Sequence, residues 1–349
     1  MKKTIKLAAL QEISPVLTAE DYKTVRGFSL EDTKNFKERN LSKTLALAEE
    51  AGRQGADLTC AYEGFLGIGF CLNYYDRPEF LRGLAEEIPG PVTDKFAEIS
   101  RRYSMYTSPN FYEICGGKIY NTSALIGRKG EIIGRYRKVH MPATEKWLCT
   151  QGSELPVFET DIGNIGFAIC YDLCFTEHCR ALALKGADII LHQTVGWGVD
   201  RWDLGEAHIR VRAAENSVYM AVAKDVRGVS GIRSMIVDNY GAILAEGDTG
   251  SPQVVIAGIT PDFDKNTNHF DAFFSGVKST RARKALERMP EVYSVLAEKN
   301  PPLTAKRYAG EKLADSPDEI TEIFKINEEY AKDEEAGRPG KLDGYTWQR

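Results

Sequence analysis

Apolar positions along the chain change period in a way that marks its elements. In LSKTLALAEEAGRQGADLTCAYE (41–63), Leu41, Leu45, Ala48 and Gly52 recur at helical spacing. Ser42 is placed to cap this helix. Gly55 is placed just past its end, where a left-handed residue is cheap only for glycine. A strand then runs to Glu63. TEHCRALALKGADIILHQT (176–194) has the same plan. Thr176 caps, Glu177 complements the positive end of the helix dipole, and Gly186 stops the helix. Both segments pass from helix to strand through Gly-Ala-Asp, at 55–57 and 186–188. The tripeptide marks either an internal structural repeat or a common helix-to-strand turn.

Hairpin patterns lie between and after these units. YNTSALIG (120–127), RKG and EIIGRYRK (131–138) read strand, turn, strand. LPVFETDIGNIGFAIC (155–170) turns at Gly163-Asn164, and IRSMIVDNYGAILAEG (232–247) turns near Asn239-Tyr240-Gly241. Helices alternating with hairpins predict an α/β fold, a mixed sheet covered by helices. The tail differs. SPDEITEIFKINEEYAKDEEAG predicts a helix over about 316–334, with Ser316 and Glu319 as a capping box and Pro317 in the first turn. Ile320, Ile323, Phe324, Asn327 and Tyr330 trace a mainly apolar face that must be buried, on its own subunit or across a dimer interface. GRPGKLDGYTWQR then reads as an extended arm. The expected division is 1–297 for the main domain and 298–349 for a C-terminal extension.

Composition narrows the function classes. The chain has 349 residues, is 43% hydrophobic and carries a net charge of −5. No Lys/Arg block with interleaved aromatics appears, so no nucleic-acid partner is expected. No run approaches the ~18 apolar residues of a membrane span. The N-terminal MKKTIKLAALQEIS has the outline of a signal peptide, but Lys6 interrupts its apolar run and no clear small-residue cleavage site follows. Seven cysteines in a chain of this length do not make a disulfide scaffold. The expectation is a soluble, reduced, cytoplasmic protein.

The cysteines concentrate in FAICYDLCFTEHC (167–179). Cys170, Cys174, His178 and Cys179 could supply four metal ligands, but zinc sites usually draw two pairs from separate elements. The pattern places Cys170 at a strand end, Cys174 in the connection, and His178 and Cys179 on the first helical turn, so the thiols diverge. No metal and no cofactor are expected. Cys174 and Cys179 read as small packing residues. Cys170 sits where a strand-to-helix turn exposes a nucleophile beside backbone N–H donors.

A thiol with a pKa of about 8.5 is only a few per cent thiolate at neutral pH and needs a base or a cation nearby. His178 and His192 are nearby bases of the usual type. Other strand ends also carry suitable groups. Glu63 ends ADLTCAYE and Lys138 ends IIGRYRK. A buried carboxylate can take the thiol proton, and a buried lysine can stabilise an oxyanion. Each residue alone is weak evidence, since strand-end Glu and Lys are commonly solvated.

Taken together, GRYRKVHMP (134–142) and GFAICYDLCFTE (166–177) resemble the nitrilase superfamily of carbon–nitrogen hydrolases, in its amidase-like branch. IPGPVTDKFAEISRRY, YNTSALIGRKGEIIGRYRK, CRALALKGADIILHQT and RVRAAENSVYMAVAKDV match as well, in order. The resemblance covers about residues 4–297. It leaves the tail unexplained, and 13–36 looks like an insertion. It implies a four-layer α-β-β-α sandwich assembled as a homodimer or larger homo-oligomer. It also implies Glu63 as general base, Lys138 as oxyanion stabiliser, Cys170 as nucleophile and Glu145 as an orienting second glutamate. The Tyr171 N–H would be the second oxyanion donor. Tyr62 stands where the family often has proline before the base, and Thr176 where it often has proline after the cysteine motif. Both changes bear on subfamily and substrate.

The implied reaction is hydrolysis of a small-molecule amide through a cysteine thioester. Tyr171-Asp172 after the nucleophile is the amide-cleaving pattern, whereas nitrile-cleaving relatives usually have Trp-Glu. N-carbamoyl amino acid hydrolysis, nitrile hydrolysis and N-acyl transfer use related chemistry, and a catalytically silent scaffold is the alternative from another class. Thr194 and Trp197 are candidate substrate contacts, with Tyr112 and Glu113 further candidates. Arg201, Arg227 and Arg233 are candidates to bind a substrate carboxylate, and the sequence does not choose among them.

Overall fold

The structure is a computed structural model that describes residues 4–13, 27–67, 78–142, 145–195, 202–225, 233–248, 250–260, 276–277, 279–299, 301, 303–307, 341–342 and 345–346. The chain divides into two compact units, Met1–Met289 and Pro290–Arg349.

The first unit begins with β1 (Ile5–Gln11), α1 (Leu30–Arg53), β2 (Leu58–Ala61), α2 (Pro78–Leu84), α3 (Pro91–Tyr103) and β3 (Tyr106–Ser108). Three antiparallel strands follow, β4 (Asn110–Cys115), β5 (Lys118–Ile126) and β6 (Ile132–Arg137), then one helical turn, α4 (Glu145–Leu148). The second half contains β7 (Ile165–Ile169), α5 (Thr176–Leu184), β8 (Ile189–Thr194), α6 (Trp202–Asn216) and β9 (Tyr219–Lys224). It closes with β10 (Met235–Val237), β11 (Ile243–Glu246), β12 (Gln253–Ile259) and α7 (Thr280–Leu286).

These strands make two sheets. One runs β12-β1-β2-β3-β5-β4, with β6 also on β5, and the other runs β11-β10-β9-β8-β7. Each has a parallel core, β1-β2-β3 in one and β7-β8-β9 in the other. The sheets face each other where β1 and β2 meet β8, β9 and β10. Strand periodicity explains why both faces are buried. Phe167, Ile169, Ile189, Leu191, Tyr219 and Ala221 point between the sheets. Their alternates Ala168, Ile190, Met220 and Val222 pack with Ile209, Ala213 and Leu182 of the outer helices. α1 and α3 pack together over the other sheet. The architecture is the α-β-β-α sandwich.

The two Gly-Ala-Asp turns occupy equivalent places in the two halves. Gly55 and Gly186 both take left-handed φ, +77° and +97°. Asp57 accepts from Lys6 N at 3.0 Å, and Asp188 accepts from Asn164 N at 2.8 Å. Each aspartate thus ties its turn to the start of the neighbouring parallel strand. The repeat reading accounts for both segments.

Two expected caps are corrected. Ser42 lies inside α1 and donates to Glu38 O at 2.8 Å. The helix starts at Leu30, capped by Ser29 and Asp32 in a reciprocal pair, because its buried stripe continues upstream through Thr33, Phe36 and Asn40. Part of the 13–36 insertion is therefore helix. Thr176 is the first helical residue rather than the cap, and its hydroxyl donates to Glu177 at 3.1 Å. The 155–170 hairpin reduces to one bridge, Phe158 with Ile165.

The second unit, taken by itself, shows short helical turns at Pro290–Val292, Ser294–Ala297 and Leu303–Arg307 and a hairpin of Lys341–Leu342 with Tyr345–Thr346. The tail helix expected over 316–334 lies outside the described residues. Among the described residues no helix is long and apolar enough to cross a membrane.

Candidate active site

The ends of β2, β6, β7 and β8 converge at one end of the sandwich. Glu63 follows β2, Lys138 follows β6, Cys170 follows β7, and Glu145 opens α4. Lys138 Nζ donates to Glu63 Oε1 at 2.8 Å and to Glu145 Oε2 at 2.7 Å. All three are at most 2% exposed. A buried ion cluster of this kind holds only when its charges pair and its remaining lone pairs find donors. Asn121 of β5 supplies two, to Glu63 Oε1 at 3.0 Å and Glu145 Oε1 at 2.8 Å.

Cys170 has φ +44°, in the left-handed region that non-glycine residues rarely adopt. It begins a tight helical turn, Cys170–Cys174, directly after the strand. Strained turns of this kind accompany functional positions. Its buried thiol contacts the carboxylate of Glu63 and the hydroxyl of Thr194. Burial and the nearby Glu63 push the thiol pKa up, against the pull of Lys138. The thiol is therefore neutral at rest. Burial also raises Glu63, opposed by Lys138 and reinforced by Glu145. For Lys138, burial disfavours the ammonium, but the charges of Glu145 and Glu63 outweigh it and hold its pKa well above the ordinary value. The arrangement can pass a proton from thiol to carboxylate with a fixed cation beside both.

Asp172 locks the turn in place. Its Oδ2 accepts from Tyr136 Oη at 2.6 Å and Ile169 N at 2.9 Å. Its Oδ1 accepts from His140 N at 2.9 Å, lies 2.9 Å from His140 Nδ1, and has His178 Nδ1 at 3.7 Å. Burial opposes the charge, but His178, His140, Tyr136 and the Ile169 N–H bring the carboxyl down to about 2. Tyr136 and His140 flank Lys138, so one carboxylate joins the lysine segment to the cysteine turn. His140, Asp172 and His178 offer ligand atoms within 4.8 Å of one another, and none of the thiols belongs to that group.

The other expected residues divide. Tyr112 packs in a side cluster with Leu81, Ile119, Met141 and Cys149, on the same sheet face as Asn121, its cross-strand partner. Glu113 is corrected: strand alternation turns it to the opposite face. There it accepts from Arg137 at 2.8 Å, Arg135 at 2.6 Å and Thr122 at 2.9 Å. His192 Nδ1 is 3.1 Å from Ala168 O, and burial brings its pKa down to about 4. His178 Nε2 is 2.8 Å from Phe167 O. Both histidines are engaged by main-chain carbonyls. Cys179 is buried between sheet and helices and pushed up to about 12 by that burial. Arg233 is exposed and pairs with Glu246 at 3.3 Å. Trp197, Arg201 and Arg227 lie outside the described residues.

With this geometry in hand, the profile of the carbon-nitrogen hydrolase family matches residues 25–264. The chain belongs to that family. Among curated relatives, an omega-amidase NIT2 of Bos taurus is 29% identical over 233 residues, covering 62% of this chain and 81% of the relative. A nitrilase of Pyrococcus abyssi is 32% identical over 228 residues, covering 64% of this chain and 84% of the relative. Among solved structures, an amidase from Nesterenkonia sp. aligns with a TM-score of 0.60 at 20% identity, covering 84% of this chain and 97% of that one. That likeness supports the fold.

Within this carbon–nitrogen hydrolase scaffold, sequence reasoning passed over Asn110, Asn121, Ser123 and Gln193. A signal was present. NTS interrupts β5 and HQT ends β8, and polar residues in strands buried on both faces must have partners.

Proposed function

We propose that this protein hydrolyses a small-molecule amide through a cysteine thioester. The observation that carries the reading is the buried thiol of Cys170, on a left-handed turn, in contact with a glutamate that shares a lysine with a second glutamate. In this reading Glu63 takes the thiol proton as Sγ attacks the amide carbon. Lys138 Nζ and the Tyr171 N–H hold the oxyanion. Collapse breaks the C–N bond, Glu63 protonates the departing nitrogen, and ammonia or an amine leaves. Glu63 then deprotonates a water, whose oxygen attacks the thioester carbon, and the expelled thiolate regains its proton as the acid is released. Glu145 keeps Lys138 charged and in place. Thr194, hydrogen-bonded to the thiol, steadies Sγ before the attack.

The relatives named as omega-amidase and nitrilase bracket amide and nitrile substrates. Tyr171-Asp172 after the nucleophile favours the amide. The same reading carries a homodimer or larger homo-oligomer, which light scattering tests; a monomer at micromolar concentration refutes it. The activity test is ammonia release from a panel of primary amides, N-carbamoyl amino acids and nitriles, with Cys170→Ala alongside. Release from amides, abolished in the variant, supports the reading. Release confined to another class, or unchanged in the variant, overturns it.

A further inference from the structure

The buried polar residues beside the two glutamates form one chain of hydrogen bonds with a single possible direction. Gln193 donates both Nε2 hydrogens to main-chain carbonyls, Ala61 O at 2.9 Å and Ser108 O at 3.0 Å. Turning the amide over would set its oxygen against those acceptors, so Oε1 faces Ser123. Ser123 Oγ therefore gives its one proton to Gln193 Oε1 and keeps only lone pairs for Asn110. Asn110 Nδ2 donates to Ser123 Oγ and to Asn121 Oδ1, both at 3.1 Å. Its own Oδ1 accepts the Gly64 N–H at 2.6 Å, which sets the same direction independently. With its oxygen engaged, Asn121 must present both amide hydrogens to Glu63 Oε1 and Glu145 Oε1.

The donors at each carboxylate oxygen then separate the two acids. Glu145 has one donor on each oxygen, Asn121 on Oε1 and Lys138 on Oε2, whereas the Cys170 thiol is hydrogen-bonded to Glu63. Glu63 Oε1 has two donors, Lys138 and Asn121. Glu63 Oε2 has the main-chain N–H of Val195 at 3.3 Å, a long contact, and is the oxygen with room for a proton. We propose that Asn121 is a positioning residue, oriented by Gln193, Ser123 and Asn110, that makes Glu63 rather than Glu145 the proton acceptor and Oε2 its accepting atom. This deepens the thiol-hydrolase reading and rests on it.

The test reads the thiol directly and needs no substrate. The rate of Cys170 alkylation by iodoacetamide, located by peptide mapping, is followed from about pH 5 to 10 in wild type, Asn121→Asp and Asn110→Asp. Asn121→Asp removes the donors and adds a charge beside the thiol–carboxylate pair, which then holds its shared proton to higher pH. Asn110→Asp leaves Asn121 in place, but the new carboxylate draws the Asn121 amide hydrogens towards itself and turns the Asn121 oxygen to the glutamates. Both variants are expected to move the pH midpoint of alkylation upward. For Asn121→Asp the shift is a unit or more, seen as about a tenfold slower reaction at pH 7. A folded variant of either kind with the wild-type midpoint overturns the proposal, even if it is less stable. Ammonia release is measured alongside. Wild type that alkylates at Cys170 but hydrolyses no amide refutes the function and leaves the relay to stand or fall on the midpoints.

Discussion

Asp172→Asn replaces a carboxylate by a group of the same shape. The carboxylate accepts from two main-chain N–H groups, one on each oxygen, Ile169 N and His140 N. Asparagine has one acceptor oxygen, so its amide nitrogen must face one of these donors. A buried main-chain N–H left unpaired costs about 1–3 kcal/mol. The ionisation gives a second estimate. A carboxylate at about 2 in the fold and 3.8 when unfolded contributes about 2–3 kcal/mol at neutral pH. The group is fully buried, so solvent screening does not reduce that figure. The expected deficit of Asp172→Asn is therefore about 2–3 kcal/mol at pH 7. Because the folded pKa is lowered, this stability is present above pH 3.8 and is lost as pH falls towards 2. By about pH 3 wild type has lost roughly 1 kcal/mol of it, and the variant, whose amide does not titrate, has lost none. Urea unfolding of both proteins at pH 7 and pH 3 measures the gap, in which other titrating groups cancel. A deficit under about 1 kcal/mol at pH 7, or a gap that does not narrow at pH 3, refutes the reasoning.

Three further outcomes follow from the same structure. Lys138→Ala removes the cation between Glu63 and Glu145 and should lower amide hydrolysis by at least about 100-fold; loss of less than about threefold contradicts the oxyanion role proposed for it. Gly52→Ala would set a methyl group 2.4 Å from the Tyr103 ring, so thermal unfolding should show a loss of about 1–3 kcal/mol with kcat unchanged. An equally stable variant would mean that α1 and α3 part easily. Glu113→Gln strips Arg135 and Arg137 of their shared partner and should cost about 1–3 kcal/mol in urea titrations. KM should stay within about twofold, and a tenfold rise would return Glu113 to the substrate side of the sheet.

Local chemistry wrote much of this into the chain. Helical spacing, alternation and the two glycines at 55 and 186 marked elements that need no distant partner to be recognised. The strand-end positions of Glu63, Lys138 and Cys170 were legible because the apolar strand pattern stops at each of them. The start of α1 was not, since Ser29 and Asp32 form a better cap than Ser42 only once the stripe through Phe36 is buried. Glu113 shows the limit of the same logic. Its neighbour Tyr112 shares a face with Asn121, and one residue of strand turns a side chain to the other side of the sheet.

What the sequence determined by itself was the order of elements, the reactive types and the resemblance they carry. Only the tertiary structure decided how those groups divide their work. Asn121 meets both glutamates through a register between β4 and β5 and the close approach of β8 from the other sheet. No spacing along one strand encodes such a meeting. The direction of a hydrogen bond depends on every partner in its chain, and those partners come from positions 61, 64, 108, 110, 121, 123 and 193. Packing two sheets face to face brings them within reach, and burial then leaves the donors only these protein acceptors in place of water.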